Sequence, residues 1–260
     1  MGELSKKLVV ENTPPQINNK YKGLYLSWRE DRLKTISRYK NQIETDIKLL
    51  KIRDGDKILD VGCAFGFTLM ELANLGFNCS GIEITKEFAQ IAGTVSNYFG
   101  LRIDIAIGDA CHLPYADNSF DAVMSTEFFS HVADSNKALE EQIRVLKRGG
   151  RLLIRDGNIL CPLILYDLLF AWPFRTKGKG GGIKWILFRK RVIQNYNGRG
   201  FDGKAEDIKS LYWWKNNLKK FKNLEIEKAT TGYAYRHPGI TSSIFEPFLG
   251  NIIIALRKIE

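Results

Sequence analysis

The sequence predicts an α/β domain built on a doubly wound, mostly parallel seven-stranded sheet. Three observations carry that expectation. Apolar strand-like runs alternate with helix-like stretches along residues 57–156, a rhythm that joins parallel strands through crossover helices. The first three of those runs close on an acid: Asp60, Glu83 and Asp109. A glycine turn, Gly62 and Gly66, follows the first run and opens a helix, as at a nucleotide-sized pocket.

Taken in order, residues 1–20 hold Asn, Pro and Lys without periodicity and read as a loose arm. Over residues 24–50, Leu33, Ile36, Ile43, Ile47 and Leu50 recur at helical steps, so one long or two shorter helices are expected, capping the sheet or closing over a ligand. Residues 57–62 form strand one. A helix over residues 67–75 ends at Gly76, a suitable C-cap. Strand two covers 78–84. Thr85 then reads as the N-cap of a helix with Phe88, Ile91, Ala92, Val95 and Phe99 on its apolar face. Residues 102–108 alternate as strand three, and residues 120–126 form strand four after a turn-rich piece. Asp134 opens a helix whose apolar face is Ala138, Leu139, Ile143 and Leu146, with Lys147 and Arg148 at its C-terminus and Gly149-Gly150 as its end. Strand five follows over 151–155. Beyond Asn158 the rhythm breaks into an apolar run over residues 159–170 and a glycine-rich loop over 178–182. A helix over residues 206–221 and two closing strands, 224–229 and 251–256, complete the chain.

At 260 residues the chain suits one domain with an insertion after strand five. No apolar run of signal-peptide length stands near the start, and the 12-residue run at 159–170 is short of a bilayer span, so a cytoplasmic location is expected. The cysteines Cys63, Cys79, Cys111 and Cys161 have no pairing or zinc-ligand spacing and read as reduced, buried small hydrophobes; no metal is expected. The net charge of +10 is concentrated: residues 171–222 hold 14 Lys/Arg against three acids, together with Trp172, Trp185, Trp213 and Trp214, four of the five tryptophans.

The glycine pattern is G-x-x-x-G, not the G-x-G-x-x-G of a dinucleotide site, and Asp60 beside it would repel a pyrophosphate while suiting a cationic or amino-bearing ligand. Glu83 is placed to accept both ribose hydroxyls, and Asp109 to accept from an exocyclic amine. Each acid taken alone could be a loop cap; three at successive strand ends point to a ligand rim.

On these residues the sequence resembles the class I S-adenosylmethionine-dependent methyltransferases, in particular the small-molecule group that includes quinone-biosynthesis enzymes. The matching blocks are ILDVGCAFG, GIEIT, IGDACHLPYADNSFDAVMS, HVAD and ALEEQIRVLKRGGRLLI, in order between Lys57 and Asp156. Ala64 stands where the group often has a glycine. The resemblance implies a Rossmann-like methyltransferase fold with an antiparallel last strand, and S-adenosyl-L-methionine as cofactor. It implies that Asp60, Gly62 and Gly66 hold the methionine end and Glu83 the ribose. Ile84 would pack on adenine, Asp109 would take its amine, and the Ala110 backbone N–H would donate to a ring nitrogen.

The implied division is an arm with cap helices (1–50), a cofactor-binding core (51–158), a basic aromatic-rich insertion or lid (159–222) and closing strands (223–260). A sulfonium methyl is already electrophilic, so transfer needs a positioned nucleophile, and a base only where the acceptor must lose a proton. His131 is the first base candidate and Glu127 the second; a lining or packing role for His131 is the alternative. The basic insertion is compatible with three partners: a small-molecule or lipid-like acceptor, the surface of an anionic membrane, or RNA. An RNA methyltransferase and a non-catalytic cofactor-binding protein are therefore the rival functions. The acceptor, the methylated atom and the oligomeric state are not legible.

Overall fold

A computed structural model of the chain describes residues 7–158, 160, 209–231 and 251–259. The elements among them are α1 (Lys22–Lys34), α2 (Ile36–Leu50), β1 (Lys57–Val61), α3 (Phe67–Asn74), β2 (Asn78–Glu83), α4 (Lys86–Tyr98) and β3 (Ile103–Ile107). They continue with β4 (Phe120–Thr126), α5 (Ser135–Val145), β5 (Leu146–Asp156), α6 (Leu211–Leu218), β6 (Leu224–Thr231) and β7 (Ile252–Lys258). The strands form one sheet in the order β3-β2-β1-β4-β5-β7-β6, mostly parallel, with β6 and β7 antiparallel to each other. This is the expected Rossmann-like class. The chain divides into two compact units, Met1–Ser125 with Asn136–Leu153, and Thr126–Ser135 with Ile154–Glu260.

In the first unit β1 lies between β2 and β4, parallel to both, with Leu59 opposite Ser80 on one side and Val123 on the other. Strand order therefore reverses at β1, which leaves a crevice outside the carboxyl ends of β1 and its neighbours. Ile58, Leu59, Val61, Ala122, Val123 and Met124 are fully buried, the near-continuous apolar strands of a sheet covered on both faces. Helix α3 approaches β2 closely because residue 81 has no side chain. A Cβ there would stand 2.5 Å from Leu69 Cδ1 and 2.8 Å from Cys63 Sγ. Gly81→Ala should therefore lower stability by about 1–3 kcal/mol through overpacking, measured by urea denaturation; an unchanged midpoint would show that α3 can back away freely.

The N-terminal arm is not loose where the structure describes it. Leu8, Val9 and Val10 are buried, and the carboxylate of Glu71 on α3 accepts the backbone N–H groups of Val9 (2.7 Å) and Val10 (2.9 Å). Buried apolar surface together with two charge-assisted hydrogen bonds fixes the segment. The cap is two helices, broken at Thr35. Helix α1 is held to the glycine-turn region by aromatic rings: Tyr25 stacks on Phe67 at 5.2 Å, Trp28 meets Phe65 edge-on at 5.1 Å, and Phe65 leans on Phe88 at 4.4 Å.

Helix α5 ends four residues earlier than the Gly149-Gly150 pair suggests. Its last carbonyls are taken by the turn before β4, with Asn118 N–H on Arg144 O (3.0 Å) and Ser119 N–H on Val145 O (2.8 Å), so the chain passes directly into β5. Lys147 then serves Asp121 at 2.8 Å rather than the helix end, and Gly149 (φ 77°) lies inside the strand.

In the second unit α6 is capped by Ser210, whose Oγ accepts the Trp213 N–H at 3.1 Å, and Trp214 is fully buried. The helix expected over 206–221 is present as Leu211–Leu218; residues 206–208 lie outside the described residues, as does the insertion at 159–222 apart from 160 and 209–222. Strands β6 and β7 pair with one register shift between Ile226 and Lys228. Among the described residues no helix is long and apolar enough to cross a membrane.

Candidate functional site

The glycine turn after β1 uses three left-handed residues in five positions: Gly62 (φ 75°), Ala64 (φ 49°) and Gly66 (φ 70°), the last opening α3. Ala64 is the one that carries a side chain, and a left-handed alanine costs roughly 1–2 kcal/mol of backbone strain. Its conformation coincides with a hydrogen bond in which the Ala64 N–H donates to Glu83 Oε2 at 2.9 Å. The turn is further tied to β2 by the Gly62 and Cys63 N–H groups on Ile82 O (2.9 and 3.1 Å) and closed by Gly66 N–H on Cys63 O (2.8 Å).

Glu83, the last residue of β2, is 7% exposed, and its second oxygen accepts the Thr85 N–H at 2.8 Å. Thr85 stands at the N-cap of α4, but its side chain does not cap that helix; its polar groups serve Glu83 instead. Burial pushes the Glu83 carboxyl up, and the Thr85 and Ala64 donors hold it back. The Ala64 N–H on one oxygen and the Thr85 N–H on the other, with the Thr85 hydroxyl beside them, set the orientation of the carboxylate.

Asp60, in the buried end of β1, is pushed up to about 7, first by burial and then by the nearby Asp46 and Glu83 charges. Asp46, fully buried on α2, is a residue that periodicity alone did not mark. The Cys63 thiol is held well above its ordinary value by burial and the same two acids, Asp60 and Glu83, which makes it a poor nucleophile. Cys63 and Cys79 are free and buried, and Cys111 is buried; Cys161 lies outside the described residues.

The third strand end joins the second through Gly108 N–H on Glu83 O at 3.1 Å. Asp109 follows, its Oδ1 accepting the Cys111 N–H at 2.8 Å; Ala110 is buried, and Ile84 is a 47% exposed apolar side chain just past β2. The first unit thus gathers Asp60, Gly62, Gly66, Glu83, Ile84, Asp109 and Ala110 along the adjacent ends of β1, β2 and β3.

Glu127 and His131 belong to the second unit. Glu127 follows β4 in a left-handed conformation (φ 54°), its N–H on Arg155 O at 2.8 Å. His131 closes a tight turn by donating its N–H to Phe128 O at 2.9 Å. Burial lowers the imidazole below its ordinary value, opposed by Asp156 and Glu127, so the ring is neutral near pH 7. Asp156, at the end of β5, accepts the Ser130 N–H (3.0 Å) and Gly157 N–H (2.8 Å), and burial pushes it up to about 6. It is a fourth acid at a strand end, and the reasoning that selected Asp60, Glu83 and Asp109 applies to it equally. Lys209, nine-tenths buried, donates to Phe129 O at 3.1 Å. No local pattern distinguishes this lysine from the others of its basic segment.

A parallel sheet whose order reverses at β1, with a glycine turn and acids at successive strand ends, is an α/β domain with a nucleotide-sized crevice at its strand ends. Residues 59–154 match the family model described as a methyltransferase domain. Among curated relatives, it is 37% identical over 110 residues to the methyltransferase GfsG of Streptomyces halstedii, covering 41% of this chain and 40% of that one. It is 36% identical over 105 residues to a 2-methyl-6-phytyl-1,4-hydroquinone methyltransferase of Synechocystis, covering 40% and 33%. It is 27% identical over 221 residues to the 27-O-demethylrifamycin SV methyltransferase of Amycolatopsis mediterranei, covering 81% and 80%. The chain spans less than half the length of the first two relatives. The crystal structure of the YcgJ protein of Bacillus subtilis shares the fold, with a TM-score of 0.57 at 19% identity, covering 85% of this chain and 99% of that one.

Proposed function

We propose that the chain transfers a methyl group from S-adenosyl-L-methionine to a small-molecule or lipid-like acceptor. The observation that carries this reading is Glu83: a buried carboxylate at the end of β2, its two oxygens oriented by the Ala64 and Thr85 N–H groups. A pair of ribose hydroxyls would meet these two oxygens, taking the place of the Thr85 hydroxyl. Asp60 fits the same ligand, since a buried acid with other acids nearby gains from an ammonium or sulfonium beside it. Gly62 and Gly66 let backbone approach the methionine end, Ile84 offers an apolar face to adenine, and Asp109 with the Ala110 N–H accepts from and donates to its edge. When bound, the cofactor supplies an electrophilic methyl.

For an acceptor hydroxyl, His131 is the proton acceptor in this reading: its imidazole is held neutral by burial, with Glu127 and Asp156 stabilising the imidazolium that forms. The small-molecule class is supported by the rifamycin and phytylhydroquinone substrates for which two of the relatives are named. A lipid-like acceptor, reached at an anionic membrane surface, is suggested by the basic, tryptophan-rich residues 171–222.

The test is mass spectrometry of a cell extract, split into lipid-extractable and aqueous fractions, incubated with deuteromethyl-labelled cofactor. A labelled product is expected, and its fraction assigns the acceptor class. His131→Ala should slow its formation about 10²- to 10⁴-fold while leaving the affinity for S-adenosylhomocysteine unchanged. Cofactor binding without label in either fraction, and label in added RNA, would favour the non-catalytic and RNA readings respectively.

A further inference from the structure

One peptide group in the second unit lies between two buried charges. Lys209 Nζ donates to the carbonyl of Phe129 at 3.1 Å, and Asp156 Oδ2 accepts the N–H of Ser130 at 3.0 Å. That carbonyl and that N–H are the two ends of the same amide, the Phe129–Ser130 bond. Asp156 and Lys209 are each nine-tenths buried or more. A cation on the oxygen and an anion on the hydrogen both favour the charge-separated form of the amide, and in a poorly solvated setting each contact strengthens the other. Both charges are anchored independently of this amide. Asp156 also takes the Gly157 N–H at 2.8 Å, and Lys209 lies 5.2 Å from the centroid of the Trp213 ring. The Phe129 side chain, fully buried, meets fully buried Trp214 edge-on at 4.9 Å, so the amide is held from its side chain as well. The next residue is His131.

We propose that Lys209 and Asp156 form a charged clamp across the Phe129–Ser130 amide, and that this clamp positions His131 for proton removal from the acceptor. The proposal rests on the reading of His131 as the base. It assigns a positioning role to a lysine at the far end of the basic insertion, 80 residues from the carbonyl it holds. Among the described residues, the charged groups that act on His131 include Asp156 at the end of β5 and Glu127 on its own loop, with Lys209 acting on it through Asp156. If Lys209 is removed, Asp156 takes a proton at higher pH and ceases to favour the imidazolium, so the His131 midpoint falls. Asp156→Asn should move it in the same direction, and Lys209→Arg should keep the wild-type value.

The test is nuclear magnetic resonance of the full chain. With three histidines in the sequence, the His131 signal is assigned by comparison with His131→Gln. Lys209→Met is expected to lower the His131 midpoint by about half a pH unit or more, with Lys209→Arg restoring it. In the wild type alone, the Ser130 amide proton should resonate downfield and move upfield as Asp156 is protonated, so the clamp is testable even if Lys209→Met does not fold. Superimposable His131 titrations in Lys209→Met and wild type, or a Ser130 amide insensitive to pH, would overturn the clamp. These readouts need no acceptor: failure of the base reading appears in the turnover of His131→Ala, failure of the clamp in the spectra.

Discussion

Glu83→Ala should weaken binding of S-adenosylhomocysteine by roughly 30- to 800-fold in titration calorimetry, about 2–4 kcal/mol. Two hydroxyls hydrogen-bonded to a carboxylate contribute about 1.5–3 kcal/mol each without full additivity. The alanine variant has a second effect. The Ala64 and Thr85 N–H groups lose their acceptor, and the left-handed turn at Ala64 loses the contact that accompanies it. Thermal stability of the unliganded chain should therefore drop as well. Glu83→Gln separates the two effects. Its amide oxygen can accept from one of the two backbone donors, so the turn is largely kept, while the charge and half the acceptor capacity are gone. Comparable losses of affinity in both variants, with a smaller loss of stability in Glu83→Gln, are the expected pattern. A wild type that fails to bind, or a Glu83→Ala variant that binds unchanged, would remove the ribose assignment and with it the principal support for this cofactor pocket.

The parts of this molecule that were legible in the sequence are those set by local periodicity. Strands β1 to β4 and helices α3 and α4 follow from apolar spacing closed by glycine, and the acids at the ends of β1 and β2 are visible because a parallel strand places its last residue on the rim of the crevice. The differences arise where a distant partner decides the local structure. Glu71 looks like an ordinary polar position on α3, yet it holds two N–H groups of an arm more than 60 residues earlier in the chain. The end of α5 was not legible from Gly149-Gly150, because the carbonyls of Arg144 and Val145 are satisfied by the turn at Asn118 and Ser119. Thr85 has the composition of a helix cap, but its neighbour Glu83 competes for its polar groups more effectively than α4 does. Asp156 stood in plain view by the strand-end rule. Lys209 did not, because nothing local separates a buried lysine from the exposed ones around it.

The second large effect concerns pH. Without ligand the chain should melt at a higher temperature at pH 5.5 than at pH 8, measured in about 0.15 M salt so that repulsion within the basic chain is screened. Asp60 and Glu71 are each pushed up to about 7, chiefly by burial, and Asp156 to about 6. A carboxylate whose folded value lies above its unfolded value of about 4 binds its proton more tightly in the native state. Its contribution to stability is fully present below the unfolded value, is lost as pH rises from there towards the folded value, and changes no further once both states are ionised. The window is therefore about pH 4 to 7, the reverse of the direction for a salt-bridged acid. Asp60→Asn should flatten this dependence and raise the stability of the unliganded chain at pH 8 by on the order of 1–3 kcal/mol, since the buried charge is removed where Asp46 and Glu83 oppose it. If Asp60 faces the amino group of the methionine end, the same variant should bind S-adenosylhomocysteine at least tenfold more weakly at pH 8. Opposite signs in the two measurements mark an acid kept for the ligand at a cost to the fold. A stability gain with unchanged affinity would place Asp60 outside the ligand's reach, and no change in either would show that the charge is already compensated in the free protein.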